Sequence, residues 1–243
     1  MASSDSDRDT MRNSASRADD RAAAYRLLAW FLLERPDEAF IRGMLARGVG
    51  SWLSATDQSL ASMREGLLGM RDFLATRQTY EPEKLCLDLA VQWTRLFRGV
   101  APGYGPRPPY EAMYRGKEGE THAELLLDLG SLYSVAGVAI SAGRSERPDH
   151  LGLELDLMGL LCSEESGFWS QGNAEEAVRR RDLQRRVLQE HLLLWVPAYC
   201  EVILREADVP FYHGVMRALS ALLNEDARSF GLASKTAPTR SGL

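Results

Sequence analysis

The sequence predicts an all-α protein, a single helical-bundle domain of roughly nine or ten helices. Three observations carry that reading. Apolar residues recur at three- and four-residue spacing along most of the chain. No alternating strand pattern persists anywhere, and no repeat period is present. The 243 residues, 45% of them hydrophobic and 26% charged, are enough to bury a sizeable core.

The elements follow in order. Residues 1–14 are polar and read as a disordered tail, and the domain is expected over 15–230. A first helix starts near Ser16 and stops before Pro36, with Ala23, Leu27, Trp30 and Phe31 at helical spacing and Tyr25, Leu28 and Leu32 widening the face. Asp37 can cap a short second helix through Leu45. Thr56 caps the next, which carries Leu60, Met63, Leu67, Met70 and Leu74 on one side. Pro82 suits the first turn of a helix bearing Leu85, Leu89, Trp93 and Leu96, which stops at Gly99. His122 to Ala136 form another helix, and a strongly apolar one covers His150 to Cys162. Asn173 opens a basic-faced helix that Pro197 ends near Leu194. Short helices from Tyr199 to Arg205 and from Pro210 to Leu223 close the domain, and 231–243 read as a flexible tail.

One stretch breaks the helical pattern. Between Trp93 and Tyr114 lie Pro102, Pro106, Pro108 and Pro109, interleaved with Gly99, Gly103 and Gly105. Proline removes backbone donors, fixes φ and pushes its predecessor out of the α region. Phe97, Tyr104, Tyr110 and Tyr114 make the segment too aromatic for a flexible linker. It reads either as a stiff connector or as an extended loop offering an aromatic surface.

Composition narrows the function. A net charge of −5 and a pI of about 5.5 give no general attraction for nucleic acid or anionic membrane. Cys86, Cys162 and Cys200 are isolated in apolar surroundings, which fits core residues in a reducing compartment. No run of 18 apolar residues and no secretory signal is present, so no stable membrane insertion is expected. Enzyme signatures are missing too: there is no HExxH, no GxSxG, no GxxxxGK[ST] and no GxGxxG after a strand. Neither a metal nor another cofactor is expected. The arginines of 179–186 read as a solvated helix face.

The segment PDHLGLELDLM (148–158) is the second informative stretch. Asp149 is a candidate N-cap, and His150 and Glu154 share a face at i, i+4. Leu151, Leu153, Leu155, Leu157, Met158, Leu160, Leu161 and Cys162 make this helix apolar nearly all round. Acids at the start of a buried helix must reach solvent or meet a positive partner.

Together LFRG, the proline-rich loop, PPYEAMY, PDHLGLELDLM, HLLLWVPAYC and VPFYHGVMRAL resemble the TorD/DmsD/NarJ family of molybdoenzyme maturation chaperones, on the TorD/DmsD side. The resemblance covers about Tyr25 to Leu223. It implies an all-helical, non-catalytic cytoplasmic chaperone, monomeric or a domain-swapped homodimer. Its partner would be the apo form of a molybdenum-cofactor oxidoreductase, held by its twin-arginine signal peptide until the cofactor is inserted. Carried over by position, the peptide-binding surface would include Leu96, Phe97, Pro108, Pro109, Tyr110, Tyr114, Asp149, His150 and Glu154, with Tyr25 from the first helix. Tyrosine stands at Tyr110 and Tyr114 where several relatives have tryptophan. The chemistry agrees: a guanidinium seeks a carboxylate and an aromatic face, and an apolar run seeks a groove. Each desolvated charge-assisted contact would contribute ~1.5–3 kcal/mol. An accessory subunit retained in the reductase, or an enzyme using the same acids and histidine, are the alternatives.

Overall fold

The computed structural model describes residues 2–39, 41–42, 62–77, 81–101, 103–115, 121–138 and 146–232. Eight helices run through them: α1 (Ala2–Leu33), α2 (Arg64–Ala75), α3 (Pro82–Phe97), α4 (Glu111–Tyr114), α5 (His122–Val135), α6 (Leu151–Ser170), α7 (Ala174–Glu206) and α8 (Pro210–Ser229). No strand occurs among the described residues. One isolated antiparallel bridge pairs Tyr110 with His150.

Among the described residues the helix count falls below nine or ten because part of the expected Asp37–Leu45 helix lies outside them, and because Pro197 does not break α7. The helix runs through the proline, and the geometry is relieved just upstream, where Val187–Leu192 form a π-helical turn. That turn ends immediately before Leu193, whose carbonyl Pro197 leaves without its usual donor. The helix contains an 18-residue window of mean hydropathy 1.3, long and apolar enough to cross a membrane. Half of that window is buried inside the domain, where Val187, Leu188, Leu192, Trp195, Val196 and Tyr199 belong to the core.

Other boundaries also moved. α1 begins at Ala2 rather than near Ser16; residues 6–10 are exposed, and close packing starts at Ala15. α6 and α8 each extend past their expected ends, to Ser170 and Ser229. Gly231, at φ +65°, then closes α8, with the Leu232 N–H donating to the Ala227 carbonyl. The expected cap at Thr56 and most of the expected C-terminal tail lie outside the described residues.

The core forms between α1 and α6 on one side and α2, α7 and α8 on the other. α1 lies antiparallel along α6: Leu33 meets Gly152, Arg26 meets Gly159 and Arg21 meets Glu165. α2 crosses α8 with the backbones nearly touching, since a Cβ on Gly66 would sit 2.5 Å from the Ala218 nitrogen. α3 is fixed by aromatic donors. The Trp93 indole donates to the Phe31 carbonyl at 3.0 Å, and the Tyr212 hydroxyl donates to the Leu89 carbonyl at 2.7 Å. The arginine run of α7 is only partly a solvated face. Arg179 pairs with Glu175 and Glu176 of its own helix, but Arg180 and Arg181 reach Glu164 and Glu165 of α6.

Candidate functional site

The proline-rich loop is folded back on the end of α3. Gly99 turns the chain at φ +58°, where an L side chain is disfavoured, and any Cβ there would lie 2.8 Å from the Pro108 ring. Gly105 presses on α3 so closely that any Cβ there would collide with the Arg95 carbonyl. The loop then meets the turn before α6. The Glu111 N–H donates to the Asp149 carbonyl and the Leu151 N–H to the Pro109 carbonyl, both at 2.8 Å. From α5, the Tyr133 hydroxyl donates to the Pro148 carbonyl at 3.2 Å. The two sequence motifs therefore form one unit.

The last part of the loop is itself helical, the single turn α4. Its N–H groups need acceptors, and Asp149 supplies one: Oδ2 accepts from the Ala112 N–H at 3.3 Å. The expectation that Asp149 caps α6 is corrected here. His150 holds that position, its Nδ1 accepting from the Gly152 N–H at 3.1 Å. Asp149 points the other way because the bridge draws its backbone onto Glu111. Accepting through Nδ1 makes Nε2 the protonated nitrogen. Burial lowers the His150 pKa from 6.5 to about 4, against the pull of Glu146.

Asp149 is fully buried and carries a bidentate ion pair. Arg147 Nε and Nη2 donate to Oδ1 and Oδ2 at 3.0 and 2.9 Å. The same guanidinium lies over the Tyr110 ring, 4.5 Å from its centroid. The Tyr110 hydroxyl donates to Glu146, which also pairs with Arg98, and the ring meets His150 edge-on at 5.1 Å. Burial, then the bond to Glu146, raises the Tyr110 pKa to about 12.

Beneath this surface lies a buried polar cluster. Glu111 of α4 accepts from Arg115 and contacts His191 Nδ1 at 2.9 Å. His191 stands in the π turn of α7, and its Nε2 is 3.3 Å from Asp128 of α5. Glu154 of α6 is fully buried, and neither carboxylate oxygen has a hydrogen-bond partner. Burial, followed by the charges of Glu111 and Asp149, raises its pKa well above 4.5. The Trp195 indole and the charge of Arg115 oppose that rise. Tyr114 closes the cluster, stacked on Trp195 at 5.7 Å and edge-on to Tyr199 at 5.2 Å.

Of the expected site residues, Pro108, Pro109, Tyr110, Asp149 and His150 come together at the bridge, with Tyr114 and Glu154 behind it. Leu96 and Phe97 are core residues, and Phe97 packs edge-on against Tyr212 at 5.4 Å. Tyr25 belongs elsewhere: its hydroxyl donates to Asp226 of α8 at 2.7 Å. Asp149, His150 and Glu154 are at most 2% exposed, so solvent meets Tyr110 and the 40%-exposed Arg147 side chain instead. Sequence reasoning missed Arg147. Its signal was the RPD tripeptide, a cation two residues from a candidate buried acid.

Among the described residues, no group of three or more His, Cys, Asp or Glu side chains is arranged to hold a metal ion. The site is a proline-stiffened aromatic loop locked to an acidic turn on an all-helical domain. The sequence has matches among known proteins. The model of the nitrate reductase delta subunit family matches residues 56–201, more than half of the chain, and the protein belongs to that TorD/NarJ family. It is 28% identical over 142 residues to the chaperone protein TorD of Vibrio parahaemolyticus, covering 58% of this chain and 63% of that protein. The alignment thus spans less than two thirds of that relative's length. The chain is 27% identical over 165 residues to TorD of Photobacterium profundum, covering 68% and 73%. It is 23% identical over 205 residues to TorD of Salmonella arizonae, covering 84% and 89%.

Proposed function

We propose that the protein is a cytoplasmic, non-catalytic maturation chaperone for a molybdenum-containing oxidoreductase. It binds the arginine-bearing signal peptide of the apo-enzyme and holds it until the cofactor is inserted. Family membership and the TorD relatives support the kind of partner. The observation that carries the reading is the Tyr110–His150 bridge, because it sets an aromatic face beside a carboxylate in the arrangement a guanidinium selects. Val100, Tyr104 and Met113 of the same segment are exposed and offer apolar contacts for the run that follows the arginines. A stiff loop loses little entropy on binding.

The test is calorimetric titration with a twin-arginine peptide and its dilysine counterpart. The arginine peptide should bind about tenfold or more tightly, a difference of ~1.4 kcal/mol. Tyr110→Leu should weaken it while circular dichroism stays unchanged. Equal binding of both peptides, together with no effect of Tyr110→Leu, would refute the reading. The family's description as a reductase subunit favours one second reading, a component retained in the finished enzyme. Co-purification with cofactor-loaded reductase would select that reading over a transient chaperone.

A further inference from the structure

We infer that Arg147 is a built-in placeholder, occupying in the free protein the guanidinium position that a client arginine takes over, so that a cationic client binds only by displacing it. The inference rests on the peptide-binding reading above and names the residue that sharpens it.

The geometry is that of ligand recognition made within one chain. Arg147 gives Asp149 two parallel hydrogen bonds and covers the Tyr110 face at 4.5 Å. Those are the contacts an incoming arginine would seek. The two partners differ in freedom. Asp149 is fully buried and tied to α4 through the Ala112 N–H. The Arg147 side chain is 40% exposed and can move into solvent. Leaving a buried carboxylate without a cation is costly, which favours exchange of one guanidinium for another. The surrounding charges favour a swap over a simple addition. Arg98 is already paired with Glu146, and Glu146 also accepts from Tyr110, leaving Asp149 as the carboxylate to be shared at this face.

Exchange has a consequence for specificity. A client arginine restores both hydrogen bonds and the stacking contact, so little is lost. A lysine removes a bidentate, planar partner and replaces it with a point charge. Displacing the resident arginine costs the same for either client, so it lowers both affinities, and the lysine peptide, which recovers less, is the one left too weak to hold.

The experiment compares twin-arginine and dilysine peptides by calorimetry on wild type, Arg147→Ala and Arg147→Lys. Arg147→Ala should tighten both peptides about tenfold, leaving their ratio unchanged; Arg147→Lys should fall between. If Arg147→Ala does not fold, Arg147→Lys, which keeps the charge, carries the comparison. Should wild type bind the arginine peptide and both variants bind it equally well or worse, Arg147 is only the structural partner of Asp149 and the placeholder is overturned, with the chaperone reading intact. Should no variant bind either peptide, arginine amide is titrated into Arg147→Ala while the Tyr110 ring resonances are followed. A shift seen there and not in wild type supports a guanidinium position without that client. No shift overturns it together with the peptide reading.

Discussion

Two buried charge networks among the described residues are built to opposite standards. The first joins α1, α6, α7 and α8. Arg21 donates twice to Asp226 at 2.8 Å, once to Glu165 at 3.2 Å and once to Gln184 at 2.7 Å. Tyr25 adds a further donor to Asp226, while Gln184 and Trp169 complete Glu165. The second gathers Glu111, Asp149, Glu154, His150 and His191 under the loop. There both Glu154 oxygens and the Trp195 indole N–H have no hydrogen-bond partner. A satisfied buried network holds helices together; an incomplete one costs stability and persists where another role maintains it. The first is a clamp. On the proposed function, the second is the part of the molecule that meets a positively charged partner.

The largest effect should come from breaking the clamp. Asp226→Ala leaves Arg21 buried without its bidentate carboxylate, and urea denaturation should show a loss of about 3–5 kcal/mol. Peptide affinity should be unchanged wherever the variant remains folded. A loss below ~1 kcal/mol would erase the contrast between the networks.

The second cluster should report through pH. His150 has a folded pKa of about 4 against an ordinary 6.5. Its folded state binds the proton less readily, so its contribution is present above pH 6.5 and is lost as pH falls towards 4. At 1.36 kcal/mol per unit, the full loss is about 3 kcal/mol. Protonation also consumes the Nδ1 lone pair that caps α6, so structure and titration agree. In His150→Asn, which keeps a capping side chain, the stability curve from pH 7 to 4 should flatten. An unchanged slope would remove His150 from the account.

Glu154 has the opposite sign. Its folded pKa is raised, so its contribution is greatest below 4.5 and declines as pH rises through the folded value. Glu154→Gln imitates the neutral form and should stabilise the free protein above neutrality. The same change should weaken an arginine peptide by removing a carboxylate that can ionise on contact. Destabilisation above neutrality would mean that Glu154 already has a partner in solution, and the two networks would then be alike.

Much of this was readable in the chain. The apolar spacing of Leu85, Leu89, Trp93 and Leu96 marked α3, and these residues are buried as that spacing requires. The near-total apolarity of 151–162 announced the buried α6. The loop's prolines and aromatics, with the resemblance carried by PPYEAMY and PDHLGLELDLM, singled out the site. Other features depend on contacts across the fold. Asp149 looked like the cap of the helix that follows it and instead serves α4, because the Tyr110–His150 bridge sets its direction. Tyr25 matched a binding position and lies in the clamp, since its hydroxyl faces Asp226. Pro197 read as a helix end, yet a π turn upstream lets α7 pass through it.

The sequence by itself determined the class of fold, most of the helices and the stretches that meet at the site. Local spacing, proline and glycine act within a few residues, and their effects can be read there. Only the tertiary structure decided which acids are satisfied, which remain without partners, and that Arg147 rests on Asp149 and Tyr110. Burial and charge pairing depend on distance in space, and that distance is set by helices remote in sequence.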